Sequence, residues 1–377
     1  MNIILKIFTI ILYAYPLLLF LGIWRIFRNK PKRQLFFSIL TVGLIAYFFV
    51  PTEHDDLYRY FERLEFVREF GSWSALATFY ADNTYFEGAP LYFLLLTAYS
   101  SFPNWVMPVF TSVIIYTLCG TLALRACKDN NISKSETSSA ILAVFYFINL
   151  YSSISSFRYV LTLAILANVI YYDLVRNDRR LIIKGACLFM YFFMGYMHTI
   201  AYSILVIRLL IFIPKTRLGT ALLIALLIIW RYFSTTLVSI IGTGSASATE
   251  LSARIESYTN FDEMAQIFYE VVLFVYILML VLWIFNLSKF RGIAGGKRII
   301  DLDYFVFFII AFIIGNASEI NMVFRYSHLL MMLFPYYYAE ANRRSCYYSN
   351  ANLSYIMLLF CYLLFFLYYS SQQYVLL

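Results

Sequence analysis

Long apolar runs, separated by short polar segments, make up most of the chain. Runs such as ALLIALLIIWRYFSTTLVSII (221–241) reach the length at which a helix crosses a hydrocarbon layer about 30 Å thick. Their apolar residues are continuous rather than alternating, which is typical of helices and not of β-barrel strands. We therefore predict an all-α, polytopic integral membrane protein with about 12 transmembrane helices. The predicted spans are 3–24, 34–50, 104–124, 138–155, 158–175, 181–197, 199–213, 218–241, 267–287, 300–319, 324–341 and 353–372.

Two regions depart from this pattern. The run APLYFLLLTAYSSF (89–102) is short for a full span, so we predict a re-entrant or tilted segment that is broken at Pro103. The polar segment 51–90 contains HDDLYRYFERLEFVREF (54–70), whose apolar residues recur at helical spacing. These apolar residues are Leu57, Tyr60, Phe61, Leu64 and Val67. The spacing predicts an amphipathic helix on the outer membrane surface.

The placement of charge predicts the orientation. The net charge is +8, and basic residues cluster in loops at 25–33, 125–134, 176–184, 214–217, 288–298 and 342–344. Because Lys and Arg accumulate on the cytoplasmic side of membrane proteins, these loops are predicted to face the cytoplasm. The basic excess is then explained without a nucleic-acid partner. The acid-rich segments 51–90 and 242–266 are predicted to be periplasmic loops of a single transmembrane domain, 1–377.

We single out four basic residues inside predicted spans or at their outer ends: Lys6, Arg158, Arg231 and Arg325. Charge inside a membrane is costly, so such residues usually face a cavity or an ionic partner. Lys6 can reach the membrane surface from a terminal turn, and Arg231 suits a structural or a functional role. Arg158 and Arg325 both fall at the outer ends of their spans, at the depth of the lipid phosphates. This shared depth predicts a shared anion.

Histidines and acids fall on the same predicted side. His198 stands at an outer turn after GACLFMYFFMGYM, and His328 lies one helical turn after Arg325. A lone histidine at such a turn also suits an ordinary interface role. Four titratable residues crowd the predicted membrane exit: Glu53, His54, Asp55 and Asp56.

Several enzyme classes are not indicated. The chain has no HExxH motif and no metal-ligand spacing, which argues against a zinc hydrolase. It also lacks a GxSxG, a Walker or a GxGxxG motif, which argues against an esterase, an ATPase and a dinucleotide-dependent enzyme. We therefore predict no metal and no cofactor.

The stretches SSFRYVLTLAILANVIYY, RNDRR and MGYMHTIAYSILVI, in this order, resemble the EpsG-like and Wzy-type bacterial polysaccharide polymerases, which make O-antigen, capsule or exopolysaccharide. Arg158 and His198 match the Arg and His of that family, while Tyr159 stands where Gln is frequent. NMVFRYSHLL matches a late helix of the family through Arg325.

Two further stretches carry the resemblance. PTEHDDLYRYFE is similar to an outer G-T-D-Y-x-x-Y region of the family, with Asp55 or Asp56 and Tyr58 at the matching places. GAPLYFLLLTAY is similar to the family's G-x-E-P-L-F-Y-L-L stretch. Ala89 stands where Glu is common, and Glu87 is a nearby substitute.

The resemblance implies a multi-span glycosyltransferase of GT-C-like architecture in the bacterial inner membrane, with its active site facing the periplasm. Such a polymerase moves the growing glycan from undecaprenyl pyrophosphate onto a sugar hydroxyl of an incoming undecaprenyl-pyrophosphate repeat unit. The implied partners are this lipid-linked oligosaccharide, membrane lipids and a protein that regulates chain length.

The chemistry of this reaction suggests residue roles. Charge builds on the pyrophosphate as the anomeric bond breaks, and arginine forks at that depth can oppose it. A carboxylate or a histidine can take the proton of the acceptor hydroxyl. The predicted catalytic residues are Asp55, Asp56 and His198; the predicted pyrophosphate ligands are Arg158, Arg325 and Arg231; and the predicted sugar contacts are Tyr58, Arg59, Glu87 and His328.

Three other functions remain open at this point. A lipid-linked oligosaccharide flippase would need charges along a path through the membrane, whereas here they gather at one predicted face. An O-antigen ligase would use similar chemistry. An integral-membrane acyltransferase would place its His and Arg toward the acyl donor.

Overall fold

A computed structural model of the chain describes residues 16, 18–51, 53, 55–70, 90–148, 150–176, 180–212, 219–229, 300–316 and 320–343. Every regular element within these ranges is helical, which confirms the all-α prediction for this part of the chain. The helices are α1 Leu18–Phe27, α2 Pro31–Tyr47, α3 Asp56–Phe70, α4 Pro90–Ser100, α5 Val106–Asp129, α6 Lys134–Phe147, α7 Leu150–Ser155, α8 Phe157–Ile170, α9 Leu181–Gly195, α10 Ile200–Leu210, α11 Gly219–Ile229, α12 Ile300–Gly315 and α13 Ile320–Arg343. Helix α8 continues directly as a π-helix, Tyr171–Arg176.

Two of these helices are long and apolar enough to cross a membrane, on length and composition. They are α5 and the combined helix Phe157–Arg176. The apolar helices α1, α4, α9, α10 and α11 are shorter than the roughly 20 residues that a crossing needs. The count of about 12 spans is therefore not confirmed by the described residues and stays a prediction. The predicted spans 267–287 and 353–372 and the loop 242–266 lie outside the described residues.

The chain forms two compact units. The first unit comprises Met1–Arg208, His328–Ser349 and Phe366–Leu377, and the second comprises Leu209–Ser327 and Asn350–Phe365. Helix α13 thus begins in the second unit and ends in the first. The single transmembrane domain, 1–377, stays a prediction.

Helix α5 forms the centre of the first unit, where it packs against α2, α6, α7 and α8. Gly120 of α5 allows a close approach to α2, because a Cβ at this position would collide with Leu35. A hydrogen bond from Gln34 Nε2 to the Ser138 carbonyl, at 2.9 Å, joins α2 to α6. The predicted span 34–50 therefore appears as α2, buried on one side by two neighbouring helices.

The predicted span 138–155 appears as two helices, α6 and α7. A capping box of Ser133 and Glu136 starts α6, and the backbone turns extended at Ile148. The carbonyl of Ile148 accepts a hydrogen bond from Tyr116 OH at 2.8 Å, and that of Ser153 accepts one from Ser112 Oγ at 3.1 Å. Side chains of α5 thus satisfy carbonyl groups near the break, which makes it tolerable in a buried setting.

Helices α3 and α4 run in the same direction. Tyr60 in the middle of α3 contacts Tyr92 at the start of α4, with ring centroids 5.5 Å apart. At the other end, Arg68 Nε donates to the Ser100 carbonyl at 2.9 Å, and its Nη1 donates to Asn104 Oδ1 at 2.5 Å. Arg68 therefore satisfies a carbonyl at the end of α4 and ties it to the end of α3.

The predicted amphipathic helix corresponds to α3, and its apolar face is covered by protein. Leu57 and Leu64 are fully buried and Val67 is 2% exposed, because α3 packs against α4 and α7. We expected this face to lie on the membrane surface. The neighbouring helices bury it instead, while Arg59 and Glu62 on the other side are exposed.

The π-helical end of α8 is held by ion pairs. Arg176 donates to both carboxylate oxygens of Asp129 on α5, at 3.1 and 3.3 Å. Arg208 on α10 donates to both oxygens of Asp173, at 2.5 and 3.0 Å. The second pair is buried, with side chains 7% and 2% exposed. We call this the Arg176 end of α8.

Beyond the end of α10, the described part of the second unit consists of α11, α12 and the first turns of α13. Gly315 lets α12 approach the backbone of α11, because a Cβ there would collide with the carbonyls of Leu227 and Ile228. Phe312 of α12 and Tyr326 of α13 have ring centroids 4.9 Å apart, which joins these two helices.

Candidate functional site

The first turn of α8, which we call the Arg158 end, is where most of the described candidate residues meet. Ser156 stands at the N-cap position, where a serine usually caps its own helix. Its hydroxyl instead donates to Asp56 Oδ2 at 2.7 Å. This bond joins the start of α8 to the start of α3, and so brings Asp56 to the first turn of α8.

Asp55 and Asp56 are neighbours in different environments. Asp55 is 2% exposed and accepts a hydrogen bond from Tyr151 OH. The Asp56 side chain is 44% exposed and lies 3.6 Å from Arg59 Nη1, in an exposed pair that contributes little to stability. A substrate hydroxyl can reach Asp56 from solvent, whereas Asp55 is enclosed. Asp56 is therefore the better placed of the two to take a proton.

Arg158 lies on an aromatic ring. Its guanidinium carbon is 4.9 Å from the ring centroid of Tyr92, which is a cation–π contact. Within the described ranges, no carboxylate forms an ion pair with Arg158. The side chain is partly exposed. A guanidinium whose charge is not neutralised by an acid is suited to bind an anion.

Tyr92 is 1% exposed and also contacts Arg63. Arg63 Nη1 donates to the Tyr92 hydroxyl at 3.2 Å, and the Arg63 guanidinium lies 5.9 Å from the ring centroid. Tyr60 is a second buried tyrosine here, with its ring 5.7 Å from the Arg63 guanidinium. Burial raises the pKa of Tyr60, and the Asp56 carboxylate adds to the rise, so this phenol stays neutral.

His198 lies in the turn between α9 and α10 and is 6% exposed. Its Nδ1 accepts a hydrogen bond from the Ile200 N–H at 3.2 Å, so the proton of the neutral ring belongs on Nε2. The Leu91 N–H donates to the Tyr196 carbonyl at 3.1 Å, which ties this turn to the start of α4. Because Nδ1 is engaged, His198 is arranged to donate from Nε2 rather than to accept a proton there.

Tyr159 lies between two histidines. Its ring centroid is 6.3 Å from that of His198 and 5.8 Å from that of His328. The Tyr159 hydroxyl lies 3.4 Å from His328 Nδ1, and His328 is 4% exposed. The residue at the position where the resembled family often has Gln thus connects both candidate histidines.

The first unit holds most of the predicted site residues: Asp55, Asp56, Tyr58, Arg59, Arg158, His198 and His328. Tyr58 and Arg59 are exposed side chains of α3. Arg325 lies in the second unit, so its convergence with Arg158 and His198 stays a prediction. Glu87, Arg231 and His54 lie outside the described residues.

Sequence reasoning missed the residues that connect this site: Arg63, Tyr92, Tyr151, Ser156 and Tyr159. Tyr92 is one tyrosine within an apolar run, and nothing in its local sequence distinguishes it from an interface anchor. For Tyr151 and Ser156, the run YSSISS before α8 was the available signal, because serines between two apolar runs favour a helix break.

Comparisons with known proteins give no match: no protein-family model, no curated protein and no solved structure matches the chain. The resemblance to the polysaccharide polymerases therefore rests on the motifs of the sequence alone. Among the residues that the structure describes, no group of three or more His, Cys, Asp or Glu side chains is arranged to hold a metal ion.

Proposed function

We propose that the protein polymerises lipid-linked oligosaccharide repeat units. It transfers the growing glycan from undecaprenyl pyrophosphate to a sugar hydroxyl of the incoming undecaprenyl-pyrophosphate repeat unit. The proposal includes about 12 spans in a bacterial inner membrane and a site that faces the periplasm. Arg158 supports it most: an arginine at the start of an apolar helix, with no carboxylate partner in the described ranges, stands two residues from the serine that binds Asp56.

The proposed reaction needs a cation for the leaving group and a base for the acceptor. The bond between the anomeric carbon and the pyrophosphate oxygen breaks, and its electron pair leaves with the pyrophosphate. Arg158 offsets the charge that develops there. The acceptor hydroxyl oxygen bonds to the anomeric carbon, and its proton passes to the Asp56 carboxylate. The products are the elongated glycan on its new lipid and the released lipid pyrophosphate.

The base role of His198 that the sequence suggested is untested, and we propose a contact to the pyrophosphate for it instead. Because its Nδ1 accepts from the Ile200 N–H, its Nε2–H donates a hydrogen bond to a phosphate oxygen. Arg325 and Arg231 stay predicted ligands of the pyrophosphate, and Tyr58, Arg59, Glu87 and His328 stay predicted sugar contacts.

Substitution of Arg158 tests the proposal directly. Polymerisation of a purified lipid-linked repeat unit is measured with Arg158→Lys and Arg158→Ala, after gel filtration confirms folding in detergent. Lysine supplies the charge without the fork, so we expect even Arg158→Lys to lose activity about tenfold or more, equivalent to about 1.4 kcal/mol per factor of ten. Arg125→Lys is the matched control, because Arg125 lies over Tyr172 at 5.4 Å at the Arg176 end.

Near-normal turnover by Arg158→Lys would show that Arg158 is an interface anchor. The glycan pattern of a deletion strain separates the rival functions. A band of one repeat unit indicates a polymerase, and complete loss of glycan indicates a flippase. Lipid-linked polymer without attachment to its acceptor indicates a ligase.

A further inference from the structure

Two guanidinium groups, from two different helices, lie against the ring of Tyr92. Arg158 of α8 lies 4.9 Å from the ring centroid and Arg63 of α3 lies 5.9 Å from it. Arg63 also donates to the Tyr92 hydroxyl at 3.2 Å. The same ring therefore sets the positions of both guanidinium groups, and an anion that reaches both would be bound by two cations.

We infer that Tyr92 is a positioning residue that holds Arg63 and Arg158 as a pair, and that the pair binds the two phosphate groups of a lipid pyrophosphate. The inference rests on the proposed function. It adds Arg63 as a second phosphate ligand and Tyr92 as the residue that sets the spacing of the two cations.

The packing around Tyr92 keeps its ring in place. Tyr92 is 1% exposed, and the Tyr60 ring packs on it with centroids 5.5 Å apart. Phe157, the residue before Arg158, packs on Tyr60 in turn with centroids 4.8 Å apart. Three helices therefore meet at this ring, so the positions of both arginines depend on it.

The number of forks predicts which anion binds. One guanidinium grips a single phosphate group through two parallel hydrogen bonds. Two guanidinium groups on one ring can each grip one phosphate of a diphosphate. We therefore expect the site to prefer a lipid diphosphate over a lipid monophosphate, and we expect this preference to need Arg63.

The test measures binding of farnesyl pyrophosphate and farnesyl monophosphate to the full-length protein in detergent. Arg63→Gln should weaken pyrophosphate binding by about tenfold or more, the effect of losing a hydrogen bond to a charged group, and leave monophosphate binding nearly unchanged. Tyr92→Leu, which removes the ring, should weaken pyrophosphate binding by about threefold to thirtyfold. Tyr92→Phe keeps the ring but loses the hydroxyl, so its effect should be smaller.

Tyr99, a buried tyrosine later in α4, provides matched controls. Tyr99→Phe and Tyr99→Leu should leave both affinities unchanged. In the polymerisation assay, Tyr92→Phe should raise KM for the lipid donor and lower kcat by less than Arg158→Ala does, because it shifts the arginines without removing them and does not touch Asp56.

Each result is decisive. If Arg158→Ala binds farnesyl pyrophosphate as well as the wild type does, the proposed function falls. If Arg158→Ala weakens binding but Arg63→Gln and Tyr92→Phe do not, only the paired site is overturned. If Arg63→Gln loses the same affinity for farnesyl pyrophosphate and for farnesyl monophosphate, Arg63 has a purely structural role and the paired site is also overturned. If Tyr92→Leu does not fold, Arg63→Gln and Tyr92→Phe decide the outcome.

Discussion

The arginines at the two ends of helix α8 have opposite surroundings. At the Arg176 end, Arg176 donates to both oxygens of Asp129, and the guanidinium is paired. At the Arg158 end, within the residues that the structure describes, no carboxylate pairs with Arg158, which lies on Tyr92. An ion pair fastens one end of the helix, while the other end keeps a positive charge available.

The aromatic contacts sharpen this comparison because they are alike. Tyr172 has the guanidinium groups of Arg125 and Arg176 each 5.4 Å from its centroid. Tyr92 likewise carries two, at the Arg158 end. A cation–π contact is thus a common packing device in this protein and indicates no function by itself. Arg158 differs from Arg176 because no carboxylate in the described ranges pairs with it, and this difference, not the ring contact, makes Arg158 a candidate ligand.

The largest expected effect is an all-or-none difference in labelling, which shows whether the Arg158 end or the Arg176 end of α8 faces outward. Glu62 on α3 and Lys134 on α6 are both exposed. In a variant without native cysteines, Glu62→Cys should react with an impermeant maleimide in intact spheroplasts and Lys134→Cys should not, because basic loops stay in the cytoplasm. Permeabilised cells should label both positions. Labelling of Lys134→Cys alone in intact spheroplasts would invert the orientation and move the site to the wrong side.

Breaking the buried pair at the Arg176 end should be strongly destabilising. Asp173→Leu leaves the buried Arg208 without its carboxylate, which costs about 3–5 kcal/mol. A large fall in the thermal unfolding midpoint in detergent would be the measurement. The double variant Asp173→Leu with Arg208→Met should recover most of the loss, because no uncompensated charge remains. An unchanged midpoint for Asp173→Leu would remove the structural half of the comparison.

The two acids at the Arg158 end should separate activity from stability. Asp56→Asn removes the proposed base, so we expect polymerisation to fall about 10²-fold to 10⁴-fold with little change in the unfolding midpoint. Asp55→Asn weakens the bond from Tyr151 OH, so its main effect should be a stability loss of about 1–3 kcal/mol. Full activity of Asp56→Asn, with a loss in Asp55→Asn, would exchange the two roles.

The smallest expected effect concerns the exposed pair of Arg176 and Asp129, whose side chains are 47% and 31% exposed. Arg176→Gln should lower stability by no more than about 1 kcal/mol and leave polymerisation unchanged. Arg158→Gln is its counterpart, and it should lose activity while the unfolding midpoint stays the same or rises. If both variants lose the same activity, the two ends of α8 do not differ in function.

The helices themselves were largely readable from the sequence, because helical periodicity is local. The predicted span 158–175 and the helix Phe157–Arg176 differ by one residue at each end. The break inside 138–155 was not predicted, since it depends on hydrogen bonds from Tyr116 and Ser112 on another helix. The local sequence does not indicate such distant partners.

The site residues also divide into those that the local sequence indicates and those whose role depends on distant partners. Arg158 was found because a charge in an apolar run is conspicuous, and the acids were found because they cluster in sequence. Tyr92 was missed because its importance comes from Arg63 and Arg158, which are distant along the chain. Arg208 also stands in an apolar run and was passed over, although its pairing with Asp173 is the buried ion pair of the first unit described above.

The tie made by Arg68 has a consequence for how this protein can change over evolution or by design. Tyr60 and Tyr92 join α3 and α4 at one level, and Arg68 joins them to Ser100 at another, so both ends of the connection 71–89 start from fixed points. Lengthening a flexible connection costs little, about 0.6 kcal/mol per doubling of its length. We therefore expect Tyr92 to keep its place when the number of residues between α3 and α4 is changed. This segment includes Glu87, a predicted sugar contact, so an exchange that keeps Glu87 retains all of the predicted site residues.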